Sequence, residues 1–177
     1  MANEADIMTI IKNTQRGSIL QVQYVQLDTA DSQSLTANTP ADINNFTVNI
    51  TPTKANSIIL LQSQFFGEFS SVSATANTMF YYSRNGTEMK PAAVGSRKVG
   101  VSGFIENYNS GDAGSTPEST TCTYFDSAHN TTSQITYKLK IDCYYTGTLY
   151  INRTVSDTNQ ADYERGISFM SATEIAQ

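Results

Sequence analysis

From Gln134 to Cys143 apolar and polar positions alternate without a break. Ile135, Tyr137, Leu139, Ile141 and Cys143 point one way; Gln134, Thr136, Lys138, Lys140 and Asp142 point the other. This period of two predicts a strand with one buried and one wet face. Shorter patterns of the same kind recur. In Ser18 to Leu27, Leu20, Val22 and Tyr24 alternate, then Val25 and Leu27 continue one residue out of phase, so a bulge or bend near Tyr24 is expected. Asn45 to Ile50 turns Phe46, Val48 and Ile50 inward. Ser57 to Phe69 opens on the apolar run Ile58-Ile59-Leu60-Leu61, and Thr78 to Ser83 is a second such run; both read as strands covered on two faces. Asn85-Gly86 is a hairpin signal, and Pro91 keeps the returning strand short or at an edge. Arg97 to Ile105, Thr121 to Phe125, Leu149 to Ile151 and Gly166 to Ala176 bring the expected total to roughly eight to ten strands. Polar loops are expected over 28–43, 106–120 and 152–165.

Only residues 1–16 break this pattern. Ile7, Ile10 and Ile11, beside Met8, repeat at helical spacing, with Glu4 and Asp6 near the start and Lys12 and Arg16 near the end, as the helix dipole favours. Gly17 stops the helix. A helix this short is marginal alone and needs a surface. Either it packs on its own domain, or it is a docking arm for a neighbouring subunit or a larger particle, with Ile7, Met8, Ile10 and Ile11 as its contacts. Residues 17–177 then form one domain, an all-β antiparallel β-sandwich, and the number of strands favours a jelly roll.

Composition sharpens this picture. Of 177 residues only 15% are charged, against about 25% in ordinary domains. Ser, Thr, Asn, Gln and Gly take their place, giving an uncharged polar β surface. The net charge is −5 and no Lys/Arg cluster tracks a groove, which argues against nucleic acid. No apolar run is long enough for a signal peptide or a membrane span. Cys122 and Cys143 are 21 positions apart, which matches no metal-ligand spacing. They read as buried thiols, with a disulfide between paired strands as the alternative.

Catalytic chemistry finds little to stand on. His129 is the only histidine and sits in a turn, without a nucleophile-elbow motif, so it reads as a solvated loop residue. Glu106, Asp112, Glu118 and Asp126 offer carboxylates for a glycosidase pair, but scattered loop acids usually serve solvation. No calcium-loop spacing occurs. No cofactor or metal ligand is assigned, and the chain is not expected to be an enzyme. Arg153, Asp157, Tyr163 and Arg165 concentrate in one loop and read as a structural clamp built on Arg–carboxylate bridges. Tyr108, in the polar 106–120 loop, is the aromatic best placed to stack on a sugar. Tyr144 and Tyr145 are expected to split between the two faces at a strand end. The runs 57–61 and 78–82 are expected to meet a second subunit about a threefold axis.

The segments GSILQVQ (17–23), FTVNITPTKANSIILLQ (46–62) and YINRTVSDTNQADYERGISFMSATEIA (150–176) resemble a domain of bacteriophages, especially those of cyanobacteria and marine bacteria. At the C-terminal end the likeness rests on Ile151, Asn152, Arg153, Thr154, Asp157, Tyr163, Arg165, Gly166, Glu174 and Ile175. It spans nearly the whole chain and is loosest between residues 70 and 130. The resemblance implies a virion component of the tail-fibre or appendage type, assembled in the host cytoplasm. It also implies a homotrimeric jelly-roll head, like those of tumour necrosis factor and complement proteins. Typical members carry a long N-terminal shaft; here about 16 residues precede the domain. That favours a short appendage, a tail-tip piece or a capsid decoration (cement) protein. The expected partners are other copies of the chain and other capsid or tail proteins, with a host cell-surface glycan as the alternative. A spike depolymerase is the remoter reading.

Overall fold

The computed structural model describes residues 16–70, 77–103 and 114–177. The expected arm residues Ile7, Met8, Ile10 and Ile11, and Tyr108, lie outside the described residues. Eleven strands are described: β1 (Ile19–Leu27), β2 (Asp31–Leu35), β3 (Ala41–Ile50), β4 (Ile58–Phe69), β5 (Thr78–Arg84), β6 (Thr87–Met89), β7 (Ser102–Gly103), β8 (Glu118–Asp126), β9 (Ile135–Cys143), β10 (Gly147–Ile151) and β11 (Ser168–Ile175). They pair antiparallel in two sheets that form a β-sandwich. The first sheet runs β8-β4-β11-β1, extended at one end by β10 and β2; the second runs β3-β9-β5-β6, with β7 beside β5.

The alternation read from the sequence sets what lies between the sheets. In β9 every odd-numbered residue from Ile135 to Cys143 is buried and every even-numbered one half-exposed. Opposite them lie Ile59, Leu61 and Phe65 of β4 and Met170 and Ala172 of β11. Phe65 stands between Phe46 and Phe80, with ring centroids 5.9 and 5.5 Å away. Tyrosines tie the layers together: Tyr82 Oη donates to Cys122 O at 2.9 Å and lies 2.9 Å from Ser63 Oγ. Tyr137 Oη donates to Asp126 at 2.7 Å. Burial makes ionisation of both phenols harder, so each keeps its hydrogen to donate. Cys122 and Cys143 are free and buried, and burial pushes the Cys122 thiol up to about 12.

One topological feature was not expected. Along a single edge of β4, residues 58–64 pair with β11 and residues 67–69 pair with β10. β1 and β2 line up in the same way against β11 and β10. Thus β10 and β11 are two halves of one interrupted strand. The chain leaves the sheet after Ile151 and rejoins it at Ser168, and a bridge between Arg153 and Arg165 closes the excursion.

Several expectations are corrected. The phase slip in β1 is not a bulge at Tyr24, because pairing with β11 runs unbroken from Gln21 to Leu27 and the irregularity falls between Ile19 and Gln21. Both faces of β1 carry apolar residues: Val25 and Leu27 pack on the core, while Val22 and Tyr24 face outward. The 28–43 loop contains β2 and the start of β3. Residues 97–100 are not strand. Tyr144 and Tyr145 do not split between faces; both sit exposed in the β9–β10 turn, edge to face at 4.9 Å. The hairpin after β5 forms as expected, with both Asn85 and Gly86 at positive φ.

Candidate functional site

The excursion between β10 and β11 is held at its root by Asn152, itself at φ +61° and buried. Its Nδ2 donates to Leu27 O at 2.7 Å and Thr29 O at 3.1 Å, spanning the gap between β1 and β2. Its Oδ1 accepts from Ser168 Oγ at 2.6 Å, and its backbone N–H donates to Phe66 O at 2.8 Å. One residue, through its side-chain amide and its backbone N–H, therefore joins segments that the interrupted strands would otherwise leave unpaired. Gly166 lies flat on the Phe66 ring, where any Cβ would collide with it.

Beyond the root, Arg153, Asp157 and Arg165 come together. Arg165 grips Asp157 with Nε and Nη2 at 2.8 and 2.7 Å, and Arg153 Nη1 approaches the same carboxylate at 3.2 Å. Arg153 also donates to Thr154 O and Val155 O and lies over the Tyr150 ring at 4.7 Å. Tyr163 lies beside this ion pair. It is half-buried and lines one shallow cleft with Asp157, Arg165, Asn159 and Gln160, and its backbone N–H donates to Gln160 O. The excursion folds back over the outer face of β4, where the buried Glu68 accepts from Val155 N at 2.7 Å and Thr116 Oγ1 at 3.2 Å.

Glu174, at the other end of β11, is fully buried. Burial alone would raise its pKa. Gln21 Nε2, the backbone N–H groups of Thr53 and Lys54, and Ser57 Oγ all donate to it, and they hold the carboxyl at about 2. His129 extends this cluster: its Nε2 meets Ser57 O at 2.8 Å, so that nitrogen carries the hydrogen. His129 is thus buried, not solvated as expected. Glu174, Ser57 and His129 lie side by side, but Ser57 has no exposed surface and its hydroxyl is committed to Glu174. A nucleophile needs access to substrate, so this group is a latch on the 51–57 turn. Asp126 is likewise bound to Arg84, Tyr137 and Ala128 N, which takes it out of any glycosidase pair.

The two outer faces of the sandwich differ. Across the first sheet the outward rows are Val22-Thr173-Leu60-Phe125 and Tyr24-Ser171-Gln62-Thr123, with Ile19, Ile175 and Ile58 beyond them. None of these residues is charged. Ile19, Tyr24 and Phe125 are 66%, 75% and 60% exposed. Across the second sheet Asp42 accepts from Lys138 and Lys140, both at 2.8 Å, and Lys98 meets Asp142 at 2.6 Å. Among the described residues its one large outward aromatic, Tyr81, is covered by this chain, with Lys90 over its ring and Glu88 accepting from its hydroxyl. The expected subunit contact through both 57–61 and 78–82 therefore fails as a single surface: the two runs lie in different sheets, and β5 already has its cover.

The exposure of Phe125 and Phe169 escaped the sequence reading, while the phase slip in β1 was the signal that Tyr24 belongs to a second apolar face. Asn152, Glu68 and Glu174 also escaped a role, because nothing local in sequence names the distant groups they join. No protein-family model matches the chain, and no curated protein is found to be similar to it.

Proposed function

We propose that the chain is a non-enzymatic structural protein of a bacteriophage particle that works as a homotrimer, with the outer face of the β8-β4-β11-β1 sheet buried between copies. The observation that carries the assembly reading is that uncharged, partly aromatic face. Interface cores are depleted in charge and enriched in Tyr, Phe and other large apolar groups, whereas contiguous exposed apolar patches are uncommon on monomers. The finer fold reading is the jelly roll. Taking β1, β3, β4, β5, β6, β8, β9 and β11 as its eight principal strands, the orders 1-8-3-6 and 2-7-4-5 support it, since every connection between them except the β5–β6 hairpin crosses between layers. The Asn152-centred root and the Arg153–Asp157–Arg165 clamp are structural in this reading. They give the C-terminal segment that carries the phage resemblance a physical purpose.

Residues 1–16 supply the arm that docks the trimer on capsid or tail. The test is incorporation. A chain lacking residues 1–16 keeps its circular-dichroism spectrum and its oligomeric mass but is missing from purified particles. Particles that incorporate the truncated chain as well as the full one refute the docking arm. A protein found nowhere in a particle refutes the virion reading altogether.

A further inference from the structure

We infer that the two clefts on either side of Arg97 form a binding site for a carboxylated saccharide. The clefts measure about 460 and 430 Å³ and share the wall Ser96, Arg97, Lys98 and Tyr144. Asn77 lines the first, and Asn38 and Lys90 line the second. They lie where the β9–β10 turn meets the segment before β7, on the side away from the uncharged outer face.

Three features point to this ligand. First, Arg97 is exposed and, among the described residues, has no carboxylate partner. One Nη1 contact to Val94 O at 3.5 Å leaves its guanidinium fork open. Lys98 and Lys90 beside it are each engaged by an acid, Asp142 and Glu88, so Arg97 is the cation left to bind an anion. A planar fork prefers a carboxylate, gripped by two parallel hydrogen bonds. Second, Tyr144 is 53% exposed and fixed: its ring stands edge-on to Tyr145 and its backbone N–H donates to Asn77 O at 3.2 Å. A held aromatic face at the rim of a cleft is a platform for the C–H face of a pyranose. Third, Asn38, Asn77 and Ser96 offer donors and acceptors suited to sugar hydroxyls, beside the apolar Met79, Ala93 and Val99; Asp142, which also lines the second cleft, is neutralised by Lys98. With Lys90 and Lys98 each balanced by an acid, Arg97 leaves the site one positive charge in a chain of net charge −5, which favours an anionic ligand. A monomer and a trimer present the same clefts, so the inference does not rest on the assembly reading.

The test uses tetragalacturonate and its methyl ester with the full-length protein, observed by saturation-transfer NMR and titration calorimetry. Tetragalacturonate binds, and the ester binds at least about tenfold more weakly, as loss of one charge-assisted bidentate contact requires. Arg97→Ala causes a similar loss, and Tyr144→Ala weakens binding without abolishing the preference for the free acid. Arg97 is exposed and outside every ion pair among the described residues, so its replacement leaves the fold intact, as a spectrum checks. Absence of binding, equal binding of acid and ester, or binding unchanged by Arg97→Ala overturns the inference. So does full competition by inorganic phosphate with no contribution from Tyr144, since that describes a simple anion site.

Discussion

On the outer face of the β3-β9-β5 sheet, Lys138 and Lys140 reach across to Asp42, and Tyr81 lies beneath Lys90 and Glu88. On the corresponding face of the β8-β4-β11-β1 sheet, Val22, Tyr24, Leu60, Phe125 and Phe169 point outward among Gln, Ser and Thr, and no charge interrupts the central rows. The strands are equally regular and face the same core. The contrast teaches where each sheet finds its second cover. One face is finished by the chain itself, with ion pairs that tolerate water. The other is finished only at one end, where the Asn152–Gly166 excursion folds over Phe66 and Glu68, and stays bare at the end marked by Ile19, Tyr24 and Phe125.

The largest effect is expected from charging the bare face. Tyr24→Lys together with Phe125→Asp places unpaired charges in a buried interface, which costs about 3–5 kcal/mol for each charge left without a partner, and dissociates the oligomer. The released chains remain folded, because neither side chain touches the core. Sedimentation and circular dichroism read the two outcomes separately. If the mass is unchanged, the bare face is not the contact.

Next comes the covered end. Asn152→Ala removes donors to Leu27 O and Thr29 O, takes away the 2.6 Å acceptor of the Ser168 hydroxyl and places alanine at positive φ. A loss of about 3 kcal/mol is expected in urea unfolding. Asn152→Gly, which relieves only the backbone, recovers less than half of it.

Glu174 sets the acid limit of the first sheet. Its carboxyl falls from an ordinary 4.5 to about 2 on folding, because the donated hydrogen bonds outweigh the burial that opposes them. The folded state therefore binds this proton less readily than the unfolded one. The stabilisation is complete above about pH 5 and is lost as pH falls from 4.5 towards 2, by about 3 kcal/mol. Glu174→Gln flattens that part of the stability profile; an unchanged acid slope assigns it to other carboxylates.

The smallest effect belongs to the finished face. Lys138→Ala removes one of two cations from a half-exposed Asp42 and costs under about 1 kcal/mol. It leaves the oligomeric mass untouched, in contrast to the pair on the first sheet.

These differences also separate what the sequence made legible from what it did not. β9, the inward set of β3 and the Asn85-Gly86 hairpin follow from period and turn chemistry, because a strand with one wet face writes that face into its own residues. β1 shows the opposite case. Its two apolar faces blur the period, and the slip reads as a bulge until pairing with β11 shows it to be a second surface. The β10–β11 interruption was invisible for another reason: collinearity along β4 is a property of three segments far apart in sequence. In the candidate clamp, Arg153, Asp157 and Arg165 could be grouped by proximity in the chain. The Asn152 root, which spans 125 positions to Leu27, could not.

Sedimentation equilibrium of the full-length chain at micromolar concentration tests the central claim most directly. The account predicts a species of three times the 19.4 kDa chain, reduced to one chain by Tyr24→Lys with Phe125→Asp. A single folded chain for the unaltered protein, with Tyr24 and Phe125 left in water, contradicts it.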